Sequence, residues 1–454
     1  MLITLVAFIV ALGVLIAVHE YGHYRVAVAC GVKVLRFSVG FGRTVFRYKP
    51  KKQKANQDTE FVIGAFPLGG YVKMLDEREG PVKPEERHLA FNAQPLKSRA
   101  AIVAAGPIAN LLLAVLLYAC VNWWGVDEPK AILSSPVAGS VAEQAGLAGG
   151  ETVDSVSYPG EEPRTVRSFD ELGWLLTKAA FVEKDVTLHL ADGRAVALPL
   201  GGLHASGGDP VALAKKIGVF SPFTQARIAE VLPDGAAQKA GLQGGDKVLE
   251  IDGRKIADGS QLYETIRASG RSGSAATQSW TVERGGRVLD LRVTPAVVSA
   301  GGATFGRINA AVGSAPAMTR VQYGPIEGLT RAAGQTYEMS AFSLRMMGKM
   351  IVGEASYKNL SGPITIAEYA GKTASLGLVR YLTFLALISV SLGVLNLLPL
   401  PVLDGGHLMY YLWEAVTGRS ISETWMERMQ RGGVAVLLLM MSIALFNDVT
   451  RLFG

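Results

Sequence analysis

The sequence predicts a polytopic α-helical membrane protein of four transmembrane helices, with two α+β domains inserted between the second and third spans. Three observations carry that reading. Four uncharged apolar stretches punctuate the 454 residues, Lys and Arg gather beside them with a consistent bias, and a glycine-turn motif recurs between the second and third stretches.

Composition sets the frame. The chain is too long for one ordinary soluble domain, and 49% of its residues are apolar, which favours partial embedding in a membrane. A formal charge of +6 raises the question of nucleic acid, but no aromatic-basic cluster accompanies it and the cations flank apolar segments, so no nucleic-acid partner is expected. The two cysteines, Cys30 and Cys120, supply neither a disulfide framework nor a cysteine-rich metal site.

The apolar stretches are Met1 to Val18, Ala100 to Val126, Tyr381 to Leu403 and Gly432 to Asn447. A bilayer core needs roughly 20 helical residues. The middle two qualify outright, the first does so by continuing through His19, Glu20 and His23, and the last must borrow residues at its ends. The expected spans are therefore 1–29, 100–126, 381–406 and 432–447. A cleaved signal peptide does not explain the first stretch, because it lacks a basic leader and runs straight into His, Glu, His and Arg.

Lys33, Arg36, Arg43, Arg47, Lys49, Lys51, Lys52, Lys54, Lys97 and Arg99 lie between spans one and two, and Arg419, Arg428 and Arg431 between spans three and four. The positive-inside bias makes 30–99 a cytoplasmic segment and turns both termini and the long region 127–380 outward. In that outward region Ala145-Gly146-Leu147-Ala148-Gly149-Gly150-Glu151 aligns with Ala240-Gly241-Leu242-Gln243-Gly244-Gly245-Asp246. Each copy joins a short Ala-rich helical run to a glycine turn and a β-rich segment. The repeat unit is too long for a solenoid, so two self-sufficient domains are expected, over 127–220 and 221–300. From Gly324 to Ser356 apolar and charged residues mix at helical spacing, and 321–360 is read as an amphipathic region rather than a fifth span.

The chemistry concentrates in His19-Glu20-Tyr21-Gly22-His23. In a helix His19 and His23 are one turn apart on one face, which suits two imidazoles holding one Zn²⁺ with Glu20 beside it. Two histidines and an acid inside a membrane helix cost several kcal/mol unless partnered, and a metal is such a partner. Catalytic zinc takes three protein ligands and keeps one open position. The third candidate is Asp404, in Asn396-Leu397-Leu398-Pro399-Leu400-Pro401-Val402-Leu403-Asp404-Gly405-Gly406-His407, where two prolines break the helix at membrane depth. His407 is its competitor. Asn396 suits donation to a substrate backbone or a developing oxyanion, or alternatively an interhelical hydrogen bond. Glu20 is the candidate general base, taking a proton from the attacking water and returning it to the leaving amine. A noncatalytic scaffold leaves Glu20 unexplained, and a metal transporter should show inverted repeats with paired broken helices.

The combination of His19-Glu20-x-x-His23, Asn396-x-x-Pro399-x-Pro401-x-Leu403-Asp404-Gly405 and a repeat that is similar to tandem PDZ domains resembles the site-2 protease family. Pro67-Leu68-Gly69-Gly70-Tyr71-Val72-Lys73-Met74, Gly106-Pro107-Ile108-Ala109-Asn110 and Leu445-Phe446-Asn447-Asp448 extend the resemblance to the bacterial regulators of sigma-E within it. The resemblance implies a zinc endopeptidase of the bacterial inner membrane that cuts single-pass transmembrane proteins within their spans. Anti-sigma factors already trimmed on the outer side and remnant signal peptides are the implied substrates. It also implies a membrane-dipping β-hairpin near 60–74, with Gly69, Gly70, Asn396 and Pro399 on the substrate path, where an ordinary cytoplasmic hairpin is the alternative. The PDZ-like domains would be periplasmic and would either bind peptide tails or exclude untrimmed substrates. Glu151 in place of Asp, and Ser157-Tyr158-Pro159-Gly160 in place of an Asp-Gly turn, set the first repeat apart.

Overall fold

The computed structural model describes residues 2–54, 56–203, 210–219, 221–274, 276–300, 303–353 and 362–453. These form two compact units, a helical one built mainly from 1–125, 322–352 and 357–453, and a sheet-rich one over 126–321.

The helical unit contains α1 (Leu2–Ala29), α2 (Leu96–Trp124), α3 (Pro325–Ile351), α4 (Pro363–Ser375), α5 (Leu378–Asn396), α6 (Asp404–Thr417) and α7 (Glu423–Phe453). Among the described residues, four helices are long and apolar enough to cross a membrane: Leu2–Ala29, Leu96–Trp124, Leu378–Asn396 and Thr424–Thr450. Leu2, Leu5, Val6, Ile9 and Val10 of α1 are exposed, as suits a surface whose solvent is lipid. Where helices touch, small residues let them approach. A Cβ on Gly22 of α1 would lie 2.3 Å from the Ala105 carbonyl oxygen of α2, and one on Gly393 of α5 would meet Leu111 and the Pro107 carbonyl of α2 at 3.1 Å. Polar bonds add to the packing: Ser389 Oγ donates to the Asn110 carbonyl at 2.7 Å, and the Tyr381 hydroxyl to the Ala7 carbonyl at 2.6 Å.

The two prolines break the third span, as expected, and the third and fourth spans differ only from the expected bounds. Residues 381–406 are not one helix: α5 stops at Asn396, an irregular stretch follows, and α6 starts at Asp404. Proline disfavours the helical conformation of the residue before it, so Leu398 and Leu400 are both pushed out of the helix ahead of Pro399 and Pro401. The last helix runs well beyond 432–447 at both ends, because strongly helix-forming residues such as Glu427, Arg428 and Met429 continue it. The amphipathic region is α3 where described, with 354–360 outside the described residues. It packs on α2, burying Ala332 against Ala114 and Tyr118, while Ile326, Leu329 and Tyr337 stay exposed.

Between α1 and α2, β1 (Val34–Tyr48) pairs with β2 (Glu60–Met74). The 60–74 segment does not close on itself as a hairpin. Arg36–Val39 lies opposite Glu60–Ile63 on one side and opposite Gly70–Lys73 on the other, so β1 separates the two arms of β2. Gly40 and Gly42, at φ +88° and +85°, let β1 turn between the arms that make these pairings. The Gly70–Met74 arm pairs on one side only among the described residues. Phe41, Val45, Phe46, Ile63 and Phe66 are exposed on this sheet.

In the sheet-rich unit the sequence repeat is a structural repeat. Arg164–Thr165, Val153–Ser157, Val186–Leu190 and Ala195–Leu198 form one four-stranded sheet, and Arg254–Lys255, Lys247–Ile251, Gln278–Arg284 and Arg287–Val293 form the other in the same order. Helices Phe169–Phe181 and Gly259–Ala268 accompany them, N-capped by Ser168 and Asp258, whose side chains accept the Glu171 and Gln261 N–H groups. Leu172, Leu175 and Leu176 fill the first core and Trp280 the second. Glu151 does what Asp246 does, accepting the Ala148 N–H at 2.9 Å where Asp246 accepts that of the equivalent Gln243 at 2.8 Å. The expected boundaries, 127–220 and 221–300, fall short: Ala310–Val312 pairs with Ile228–Val231, and Met318–Val321 pairs with Val126–Pro129. The first range also contains 204–209 and 220, which lie outside the described residues.

Candidate active site

Helix α1 carries His19, Glu20 and His23 on the side that faces α2 and the β sheet, and Glu20 and His23 are each only 9% exposed. Asp404, the first residue of α6, meets both imidazoles: its Oδ2 is 3.2 Å from His19 Nε2 and 3.5 Å from His23 Nε2, while the two Nε2 atoms are 3.3 Å apart. Three ligand atoms each about 2.1 Å from one tetrahedral ion lie about 3.4 Å from one another. The three side chains therefore have the spacing of one metal's ligands, and they form the group competent to hold a metal ion among the described residues.

Local sequence explains how each arrives. A Cβ on Gly405 would lie 2.1 Å from the Leu398 carbonyl oxygen, and one on Gly406 2.3 Å from that of Leu400. Only glycines after Asp404 let the proline-broken stretch fold back against the first turn of α6. On the α1 side, His23 Nδ1 donates to the Ile102 carbonyl at 2.8 Å, which fixes the tautomer with Nε2 free. Gly106 lies beneath that ring, since a Cβ there would be 2.2 Å from Nε2.

The remaining expected residues separate. Gly70 lies against Glu20: a Cβ on it would stand 2.8 Å from Cγ of that residue. Gly69, at φ +94°, faces Phe41 within the sheet instead. Asn396 is half-buried at the end of α5 and Pro399 is exposed, and neither contacts the cluster in any hydrogen bond among the described residues. His407 sits three residues beyond Asp404 with its ring centroid 5.9 Å from that of Tyr410, outside the three-residue group. Sequence reasoning missed Ile102, and named Gly106 and Asn110 only within a motif, without a role. Ile102 acts through its backbone, which no side-chain pattern reveals.

Two imidazoles and a carboxylate aimed at one point beside a buried glutamate, on a helix able to span a bilayer, define a membrane-embedded metal-dependent hydrolase. Residues 7–440 match the model of peptidase family M50, and the chain belongs to that family: it is a zinc metalloprotease and an integral membrane protein. It is 42% identical over 465 residues to a Ralstonia nicotianae protein assigned by name to the zinc metalloproteases, with 100% of this chain and 99% of that one covered. It is 40% identical over 461 residues to the regulator of sigma-E protease of Escherichia coli (99% and 98% covered), and 39% identical over 463 residues to a protease of Yersinia pestis (99% and 99% covered).

Proposed function

We propose that this protein hydrolyses peptide bonds within the transmembrane segments of single-pass proteins of the bacterial inner membrane, with His19, His23 and Asp404 as zinc ligands and Glu20 as general base. The observation that carries the reading is the approach of Asp404 Oδ2 to both Nε2 atoms beside a buried Glu20 on a helix of spanning length. Zinc held there supplies Lewis-acid chemistry to a water and to the scissile carbonyl. Glu20 takes the proton of the attacking water as its oxygen bonds to the carbonyl carbon, then delivers a proton to the nitrogen as the C–N bond breaks. Burial excludes bulk water from this exchange and strengthens each charge interaction within it.

A peptide bond inside a helix is shielded by its own hydrogen bonds, so substrate must unwind before attack. The one-sided Gly70–Met74 arm offers backbone groups to an unwound strand, with Gly70 holding that strand close to Glu20. Asn396 and Pro399, on the irregular approach to α6, border the same path, and exposed Phe41, Phe46 and Phe66 suit a sheet that dips into lipid. The E. coli relative is named for regulating sigma-E, which favours an anti-sigma factor trimmed on its outer side as substrate, with remnant signal peptides as a second class. The sheet-rich repeats are PDZ-like domains on the periplasmic side, along with both termini, and they hold back substrates that keep a bulky outer domain.

Purified Glu20→Gln should retain zinc and lose cleavage of a single-pass substrate. Normal cleavage by that variant sinks the assignment of the base. Equal cleavage of one substrate with and without its outer domain removes the size filter.

A further inference from the structure

Asn110 is fully buried in α2, and one of its polar atoms is mismatched. Its amide Nδ2 stands 3.2 Å from Nδ1 of His19, while its Oδ1 is buried without a hydrogen-bond partner among the described residues. A buried acceptor left unpaired is costly to the fold. The pairing also conflicts with metal binding. A neutral imidazole that presents Nε2 to a metal carries its proton on Nδ1, and Nδ1–H requires an acceptor, which an NH₂ group is not. Rotating the amide by 180° exchanges two groups of nearly equal size and sets Oδ1 against Nδ1–H.

We propose that Asn110 is a positioning residue for zinc: its Oδ1 accepts Nδ1–H of His19 and holds the tautomer that leaves Nε2 to the metal. The Ile102 carbonyl already does this for His23. Ile102 and Asn110 are about two turns apart on one face of α2, with Gly106 between them making room for the His23 ring. One stripe of α2 thus orients both histidines of α1. A buried amide in a spanning helix often serves only to bind a neighbouring helix. Here the bond to α5 is made by the Asn110 backbone carbonyl, which accepts from Ser389, and the side chain is left for His19.

The inference rests on the ligand set proposed above, and the test separates the two. Full-length parent, Asn110→Leu, Asn110→Asp and Asp404→Asn proteins in detergent are titrated with a zinc chelator, and apo melting temperatures are recorded alongside. Asn110→Leu, which keeps the bulk and removes the acceptor, should hold zinc about 10–100-fold more weakly than the parent. Asn110→Asp keeps the acceptor and should hold it like the parent. Cobalt-loaded protein should show an altered visible spectrum in Asn110→Leu and a parent-like one in Asn110→Asp, a difference that general destabilisation does not produce. Parent-like zinc affinity in Asn110→Leu, or equal loss in both variants, overturns the proposal. If Asn110→Leu does not fold, Asn110→Ala carries the same arm. Asp404→Asn reports on the ligands themselves: parent-like zinc binding there defeats the ligand set whatever Asn110 does, whereas its loss of zinc beside an unaffected Asn110→Leu defeats the present proposal alone.

Discussion

The His23 ring lies so close to Gly106 that a single added methyl would stand 2.2 Å from its Nε2. No real Cβ makes such a contact, so Gly106→Ala must turn the imidazole away from His19 and Asp404. Alanine is the better helix former by about 1 kcal/mol, so α2 itself should not suffer. The expected result is a folded protein whose zinc content after purification falls several-fold. Full zinc in Gly106→Ala would show that His23 has another productive position.

Gly70 makes the opposite prediction. A Cβ there meets the Ser38 carbonyl oxygen at 2.7 Å, Cγ of Glu20 at 2.8 Å and Ile16 at 2.9 Å, and none of the three proposed ligands is among these nearest atoms. Gly70→Val should therefore keep its zinc and lose about 100-fold in cleavage, the usual consequence of displacing a reacting group by an ångström. Zinc analysis together with a cleavage assay checks both halves.

Asp448 of α7 is 1% exposed and accepts four hydrogen bonds at the start of α4: from the Gly362, Ile364 and Thr365 N–H groups at 2.9, 2.9 and 3.2 Å, and from Thr365 Oγ1 at 2.6 Å. Asp448→Ala leaves those donors buried and unpaired, and should cost about 2 kcal/mol or more of stability. Thermal unfolding in detergent should show a lowered midpoint, with Asp448→Asn intermediate because its carbonyl still accepts.

In the second repeat, burial pushes the Asp246 carboxyl up, but the Arg284 guanidinium at 2.7 Å and the Gln243 N–H pull it further down, so its pKa lies below the ordinary 3.8. A carboxyl with a lowered folded-state pKa contributes stability that is present above pH 3.8 and lost as pH falls through the folded value. Trp280, fully buried in the same core, should report this loss as a fluorescence change below about pH 4. Asp246→Asn should be less stable at neutral pH and show a weaker dependence on acid.

Much of the fold and the site was legible in the sequence because the chemistry is local or costly. His19-Glu20-x-x-His23 needs only helical spacing to become a site, and Asp404 stands out because a carboxylate at the end of an apolar run, just past two prolines, is expensive at membrane depth without a partner. Long uniform hydrophobicity marked the spans. The pairing of β1 with β2 was hidden because it joins segments across a charged loop, and a strand's alternation does not say which partner lies beside it. Short helices α4 and α6 are only partly apolar, and their stability comes from contacts such as Asp448 with Thr365 and the Arg99–Glu414 ion pair at 2.6 Å. Asn110 stood out only as part of a resemblance, because its meaning depends on which nitrogen of His19 it faces.

The pairing of Val126–Pro129 with Met318–Val321 brings the first and last strands of the sheet-rich unit side by side. Paired antiparallel strands hold opposing Cα atoms only about 5 Å apart, so the insertion begins and ends at nearly one point. A short turn could replace it without stretching the chain. The unit is in that sense a cassette: exchanging it leaves untouched every residue proposed to carry the chemistry.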